Sequence, residues 1–410
     1  VTTLLVTNDF GPRIGGIETF CRAVCAFLGD DVVVLTSDQE GADAYDASLP
    51  FPVVRLRGPL LPTRAVARRA ADLLRSHRCD VVVFGAAAPL GLLADSLRRA
   101  GARRLLALTH GHEVWWARVP VTARLLRRIG DSVDVLTTIS AHTEAHIARA
   151  LSPAAREHVV RMPPPVDLSS FRPDAAPREP HTCVAAGRFV RQKGFDTLLR
   201  AWARVQRDLG PRYRLRLVGG GPEEAALRRR AAGLPYPAEV EFTGPVAHGD
   251  LPPLLAAAGV FALPVRSLYG GLYAEGFGVC FAEAAATGLP VVVGDSGGAP
   301  ETVEPGRTGT VVDPGSVAEV AAAVSGLLAD PARAAAWGSA GRARAEQMFG
   351  AERSRTLLRR LIGVGDDTDE VAGLREDRRG VPVERRDVIA VREAPFDGDR
   401  RRDPAEDDPR

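Results

Sequence analysis

Short, continuously apolar runs alternate along this chain with longer segments in which apolar residues recur every three or four positions. In the first part the short runs fall at 3–7, 32–36, 81–85, 105–109, 135–139 and 159–162. Runs of this length without polar alternation suit parallel strands covered on both faces, and the Ala/Arg/Leu segments between them suit crossover helices. The stretch 162–180 then holds six prolines and reads as a linker. After it the alternation restarts, with runs at 181–187, 215–219, 240–243, 260–263, 291–294 and 310–312. A helical pattern over 332–361 closes the second half. The pattern predicts two doubly wound α/β domains, 1–163 and 181–363, joined by a Pro-rich linker over 164–180.

Beyond that point the chain changes character. Residues 365–410 hold 15 acidic residues and 10 arginines among 46, with few apolar anchors. Such a segment cannot bury enough surface to offset the entropy of ordering it, so 364–410 is expected to be a disordered tail.

Composition narrows the function classes. A length of 410 residues exceeds one compact core and fits two domains of ordinary size. The formal net charge of +2 supplies no overall basic field, and no basic–aromatic motif points to nucleic acid. No apolar run approaches the roughly 20 residues that span a bilayer. The opening VTTLLVTNDF lacks the charged region of a secretory signal, so a cytoplasmic protein is expected. Cys21 and Cys25 lie one helical turn apart, but no other Cys or His pair completes a metal site. Reduced core thiols are the expectation for all five cysteines.

Of 53 basic residues only Lys193 is a lysine, within G-R-F-V-R-Q-K-G (187–194) after a predicted strand. An ammonium is a compact point charge, whereas a guanidinium is a wide planar fork. Lys193 and Arg188 together suit a diphosphate, the fork on one phosphate and the point charge on the other. A solvated loop before a helix is the alternative for these two alone. N-D-F-G-P-R-I-G-G-I-E (8–18) follows the first strand, and the amides of Gly15 and Gly16 would join the positive end of the next helix. Taken alone, that string is better explained as a simple tight turn. The most specific string is G-G-L-Y-A-E-G-F-G-V-C-F-A-E (270–283), which sets Glu275 and Glu283 eight positions apart around a Gly-rich turn. One carboxylate can sit at a reacting sugar while the other accepts hydrogen bonds from the vicinal hydroxyls of a ribose. His110 and His112 lie in T-H-G-H-E at a strand end; the context favours a functional His110 and leaves His112 open between function and core packing.

These strings, in this order, resemble the retaining GT-B glycosyltransferases that carry an E-x7-E signature, over roughly residues 2–361. F-G-A-A-A-P-L, T-H-G-H-E-V-x-W, D-V-L-T-x-I-S and S-G-G-A-P-E-T-V are most similar to bacterial phosphatidylinositol mannosyltransferases that add the second mannose from GDP-mannose. The resemblance implies two Rossmann-like domains facing a cleft, the acceptor on the first and the nucleotide sugar on the second. It implies that the Gly16 amide contacts the donor phosphate, that Arg188 and Lys193 hold the diphosphate and that Glu283 holds the ribose hydroxyls. Val246 would lie near the base, and Glu275 and His110 would be the catalytic residues beside the transferred sugar. His112, Trp116 and Tyr273 would stand on the acceptor side.

Departures from the family concern the acceptor more than the donor. Pro164-Pro165 stands where Ser-Gly or Asn-Gly is usual, and proline removes a backbone donor. Trp115-Trp116 and the loop 269–273 differ as well. The implied reaction is retaining transfer of a hexose, mannose from GDP-mannose, to a phosphatidylinositol mannoside-type acceptor. It would need no cofactor, and no metal, because no Asp-x-Asp lies near a strand end. The departing phosphate would take the acceptor proton on the face it leaves. Another nucleotide sugar with a soluble or secondary-metabolite acceptor is one alternative. A sugar-nucleotide epimerase of the same fold is another, though it needs other acid/base placements. Segments 64–75 and 122–129 are amphipathic if helical, with arginines on one side. Solvated faces explain them as well as lipid does; the glycolipid resemblance favours peripheral contact with an anionic membrane surface at the cytoplasmic leaflet.

Overall fold

Seven parallel strands build the first sheet: β1 (Thr3–Val6), β2 (Val32–Ser37), β3 (Val53–Leu56), β4 (Val81–Phe84), β5 (Arg104–Leu108), β6 (Val135–Thr138) and β7 (Val159–Arg161). Six more build a second: β8 (Glu179–Ala186), β9 (Arg214–Val218), β10 (Val240–Gly244), β11 (Ala258–Leu263), β12 (Val291–Gly294) and β13 (Gly309–Val312). The structure is a computed structural model that describes residues 1–13, 15–174 and 178–363; the segment 364–410, expected to be disordered, lies outside the described residues.

Strand order is β3-β2-β1-β4-β5-β6-β7 in one sheet and β10-β9-β8-β11-β12-β13 in the other. Each sheet therefore reverses its winding between two central strands, β1 and β4 or β8 and β11. Loops leaving such a pair part in opposite directions and open a crevice at the carboxyl edge. The Gly-rich string follows β1, the Arg188–Lys193 turn follows β8, and the Glu275 loop follows β11. Topology alone thus brings the candidate strings to the two crevices.

Burial explains why these runs are strands. Every residue of β1, β4 and β12 is buried, as continuous apolar runs between helical layers require. Edge strands are less covered: the four residues of β3 are all half-buried, and its weak signal kept it out of the sequence reading. Helix Phe195–Leu209 buries Phe195, Leu198, Leu199, Trp202 and Val205, one stripe at helical spacing. Each such side chain contributes about 1.5–3 kcal/mol on burial. Helices Arg64–Ser76 and Pro120–Ser132 likewise turn their apolar stripes inward. Val66, Ala70, Leu73, Leu74, Leu126 and Ile129 join the core of the first sheet, and the arginines stay outside.

The connection between the sheets is clamped rather than loose. Arg178 donates to the carbonyls of Thr287 and Gly288 at 2.8 Å each. Arg342 donates to those of Phe171 at 2.7 Å and Ala286 at 2.8 Å. The last helix, Ala351–Leu361, departs from the expectation that it closes the second domain. It packs on Gly16–Leu28 of the first, and Arg104 Nε donates to the Leu361 carbonyl at 2.6 Å. Where the chain crosses back, the Val166 amide donates to the Phe349 carbonyl at 2.7 Å.

Candidate functional site

The two lobes meet through the loops after β5 and β6 of the first and β11 and β12 of the second. Gly111 (φ +97°) and Gly276 pack backbone to backbone: a Cβ on Gly111 would lie 3.0 Å from the Gly276 Cα, and one on Gly276 would lie 2.9 Å from the His110 carbonyl oxygen. Only glycine permits that approach. Ser140 caps helix Ala141–Ile147 through the Thr143 amide and donates its hydroxyl to the Gly276 carbonyl at 2.8 Å. Glu301, from the turn after β12, reaches across: its carboxylate accepts from the amides of Ala141 at 2.8 Å and His142 at 2.9 Å.

At the centre, Lys193 Nζ donates to Glu275 Oε2 at 2.7 Å, with the side chains only 20% and 14% exposed. Water therefore screens this pair poorly. Burial works against the ammonium, but the Glu275 carboxylate, with smaller contributions from Cys280 and Tyr273, holds the Lys193 pKa above its ordinary value. The backbone of Glu275 is pinned by the Gly-rich turn after β12: its carbonyl accepts from the Gly298 amide at 2.8 Å.

His110 stands at the end of β5, one residue from the Gly111–Gly276 contact. Its Nε2 lies 2.6 Å from the Gly85 carbonyl, which can only accept, so the ring carries its proton there and leaves Nδ1 as an acceptor. Burial lowers the His110 pKa, which keeps the ring neutral at neutral pH. The His110 amide donates to Glu113 at 3.0 Å, and the ring meets the edge of Phe20.

The remaining candidates lie around this centre. Glu283 sits in helix Val279–Ala286, and burial raises its pKa from 4.5 to about 7. Arg188 is exposed beside Gly187, and no carboxylate pairs with it among the described residues. Gly16 opens its helix with free space around its Cα, and Val246 is half-buried just past β10. The structure thus pairs Lys193 with Glu275 and sets the His110 carbonyl against Gly276, the next residue, while among the described residues no hydrogen bond joins the His110 ring to either. No hydrogen bond or ion pair joins Arg188, Glu283, Val246 or Gly16 to them among the described residues. On the rim, His112 Nε2 lies 3.3 Å from the buried Glu113, Trp116 packs partly against the first core, and Tyr273 is exposed.

Two groups of residues escaped the sequence reading. Glu301 lay inside the quoted S-G-G-A-P-E-T-V string without a role, because its partners are 160 residues away. Asp9, Arg13 and Glu18 form an ion cluster inside the first Gly-rich string: Arg13 donates to Glu18 at 2.6 Å and to Asp9 at 3.3 Å. Burial, followed by the Glu18 charge, raises the Asp9 pKa. Arg13 and Glu18 also line a cavity of about 70 Å³ with Arg22, Tyr45 and, from the second lobe, His248. Three charges among glycines were the available signal. Among the described residues no group of three or more His, Cys, Asp or Glu side chains is placed to hold a metal ion.

Known proteins resemble the chain along both lobes. Residues 169–344 match the family described as Glycosyl transferases group 1, and residues 14–170 match Glycosyltransferase Family 4. A GDP-mannose-dependent alpha-(1-6)-phosphatidylinositol monomannoside mannosyltransferase of Mycolicibacterium smegmatis is 45% identical over 359 residues, covering 83% of this chain and 92% of that protein. A GDP-mannose-dependent monoacylated alpha-(1-6)-phosphatidylinositol monomannoside mannosyltransferase of Corynebacterium glutamicum is 41% identical over 361 residues, covering 84% and 93%. Among solved structures, Anabaena HepE in complex with UDP superposes with a TM-score of 0.74 at 20% identity, over 87% of this chain and 98% of that one. At that identity the likeness concerns the fold.

Proposed function

The chain belongs to the group 1 glycosyltransferases and has their two-sheet GT-B architecture, and from that premise we propose that it transfers mannose from GDP-mannose to a phosphatidylinositol monomannoside-type glycolipid. The observation that carries this reading is 45% identity across 92% of the M. smegmatis enzyme. The site chemistry is compatible with it. As the glycosidic bond breaks, the leaving diphosphate gathers charge, which Arg188, Lys193 and helix amides near Gly16 would neutralise without a metal. An incoming diphosphate would compete with Glu275 for Lys193 and free that carboxylate for the sugar hydroxyls. Glu283 would accept from the ribose, Val246 would lie by the base, and Nδ1 of His110 would accept from a sugar hydroxyl. Departure of the phosphate and uptake of the acceptor proton on one face would give retention.

The acceptor would enter from the first lobe, past His112, Trp116 and Tyr273, with the protein resting peripherally on an anionic cytoplasmic leaflet. No described helix is long and apolar enough to cross a membrane. A product assay tests the reading, with GDP-mannose, UDP-glucose and UDP-N-acetylglucosamine each offered with phosphatidylinositol monomannoside and with soluble acceptors. Dimannoside from GDP-mannose, with the anomeric configuration retained, is the expected product. Transfer only from a uridine donor, or only to a soluble acceptor, overturns it.

A further inference from the structure

Nine large apolar side chains stand exposed across the described residues, and six of them belong to two segments. Trp115, Val119 and Val121 mark the corner between helices Glu113–Arg118 and Pro120–Ser132; Tyr269, Leu272 and Tyr273 lie in the loop before Glu275. The segments come from different lobes, yet Arg118 joins them. Its Nη1 donates to the Gly270 carbonyl at 3.0 Å, and a Cβ on Gly271 would lie 3.4 Å from its Nη2. Arg118 thus tethers the two exposed apolar segments to one another where the lobes meet.

The second-lobe loop is built to project. Tyr269, Gly270 and Gly271 all have positive φ, +53°, +64° and +81°, and the Leu268 amide closes the loop on the Tyr273 carbonyl at 2.8 Å. The left-handed region is unfavourable for a tyrosine, and no buried contact offsets it, because Tyr269 is 75% exposed. Arginines flank the apolar tips. Arg118 and Arg124 are exposed and pair with no carboxylate among the described residues, and Arg124 shares a helix face with Val121. Aromatic tips beside arginines that no carboxylate neutralises are the chemistry of a bilayer's headgroup boundary, where rings enter and guanidinium groups meet lipid phosphates. The apolar stripes of the amphipathic helices Arg64–Ser76 and Pro120–Ser132 lie in the core, so apart from Val121 at the exposed start of the second they supply no insertion.

We propose that this two-lobe rim is a lipid-facing surface, its apolar tips entering the acyl boundary of an anionic bilayer and its arginines binding the phosphates. The proposal rests on the glycolipid-acceptor reading for its purpose. Half of the rim belongs to each lobe, so it is continuous only while the lobes touch. Lipid binding and lobe closure therefore favour one another.

The test uses the full chain with phosphatidylcholine–phosphatidylglycerol vesicles, with and without brominated acyl chains. The expected result is cosedimentation together with quenching of tryptophan emission by bromine. The triple variant Val121→Ser, Tyr269→Asn, Leu272→Ser should bind vesicles roughly tenfold or more weakly. Its GDP-mannose affinity should be unchanged and its thermal melt not lowered, since all three side chains are exposed and asparagine tolerates the left-handed backbone that is unfavourable for Tyr269. Equal vesicle binding by the variant overturns the proposal. So does sedimentation without bromine quenching, which assigns the contact to arginines alone. Self-association without vesicles that the variant abolishes also overturns it, in favour of a second copy. A mannose-transfer assay on detergent-solubilised phosphatidylinositol monomannoside separates the two readings. Transfer without vesicle binding removes the rim and keeps the enzyme reading; the specified vesicle result without transfer does the reverse.

Discussion

Replacing Glu301 with alanine should weaken the contact that holds the lobes together. The carboxylate accepts two backbone hydrogen bonds across the cleft, at 2.8 and 2.9 Å. Hydrogen bonds to a charged group contribute about 1.5–3 kcal/mol each when water is excluded. Glu301 is half-buried, and water can solvate the freed amides once the lobes part, so about 2–3 kcal/mol in total is a discounted figure. That shifts the closed-to-open equilibrium constant by roughly 30- to 160-fold. Small-angle scattering should then show a larger radius of gyration, and kcat should fall more than donor KM rises, because Glu301 touches no residue assigned to donor binding. Glu301→Gln keeps one acceptor oxygen without the charge and should recover less than half of the loss. A Glu301→Ala protein with the scattering profile and kcat of the parent would refute the latch.

The remaining expectations concern the donor side. Lys193→Ala should cost about 2–4 kcal/mol of transition-state stabilisation, read as kcat/KM, and Lys193→Arg should stay impaired because a fork does not fit a point-charge site; parental turnover in the alanine variant rejects the assignment. Burial raises the Glu283 pKa to about 7, and donor hydroxyls favour its charged form, so donor affinity should rise as pH climbs through 7. Calorimetric titration from pH 6 to 8 should show that rise and Glu283→Gln should flatten it; a flat parental profile removes Glu283 from the donor site. In the free protein the sign is opposite: the raised pKa makes stability fall between pH 4.5 and about 7, measurable by denaturant titration and absent in Glu283→Gln. Transfer should survive excess EDTA, and activity restored only by added divalent ions would show the leaving-group chemistry to be misread.

The architecture was legible because burial on both faces leaves a plain mark: the Val- and Leu-rich runs at β1, β2, β4 and β12 cannot be hidden by local context. β3 left a fainter mark, since an edge strand with half-buried residues tolerates mixed chemistry. The site strings were visible as strings, but their mutual geometry was not. Lys193 and Glu275 are 82 positions apart, and nothing in either string announces that the ammonium rests on that carboxylate. Glu301 and the Ala141 amide are further apart still, and a carboxylate that caps a distant helix looks like any surface glutamate in sequence. The arginine-rich helices were ambiguous for a related reason. Amphipathicity records that one side is apolar, and only packing tells whether core or lipid covers it.

The return of the last helix to the first lobe bears on how the cleft can open. The chain crosses between lobes twice, once near Val166 and once near Gly350, and the two crossings run side by side as a short parallel bridge. A single strap would let one lobe swivel freely beneath the other. Two straps bonded to each other resist torsion and leave bending as the soft motion. The cleft should therefore open like a book along its spine, uncovering its whole length at once, and the same spine returns Gly111 to Gly276 in register at every closure.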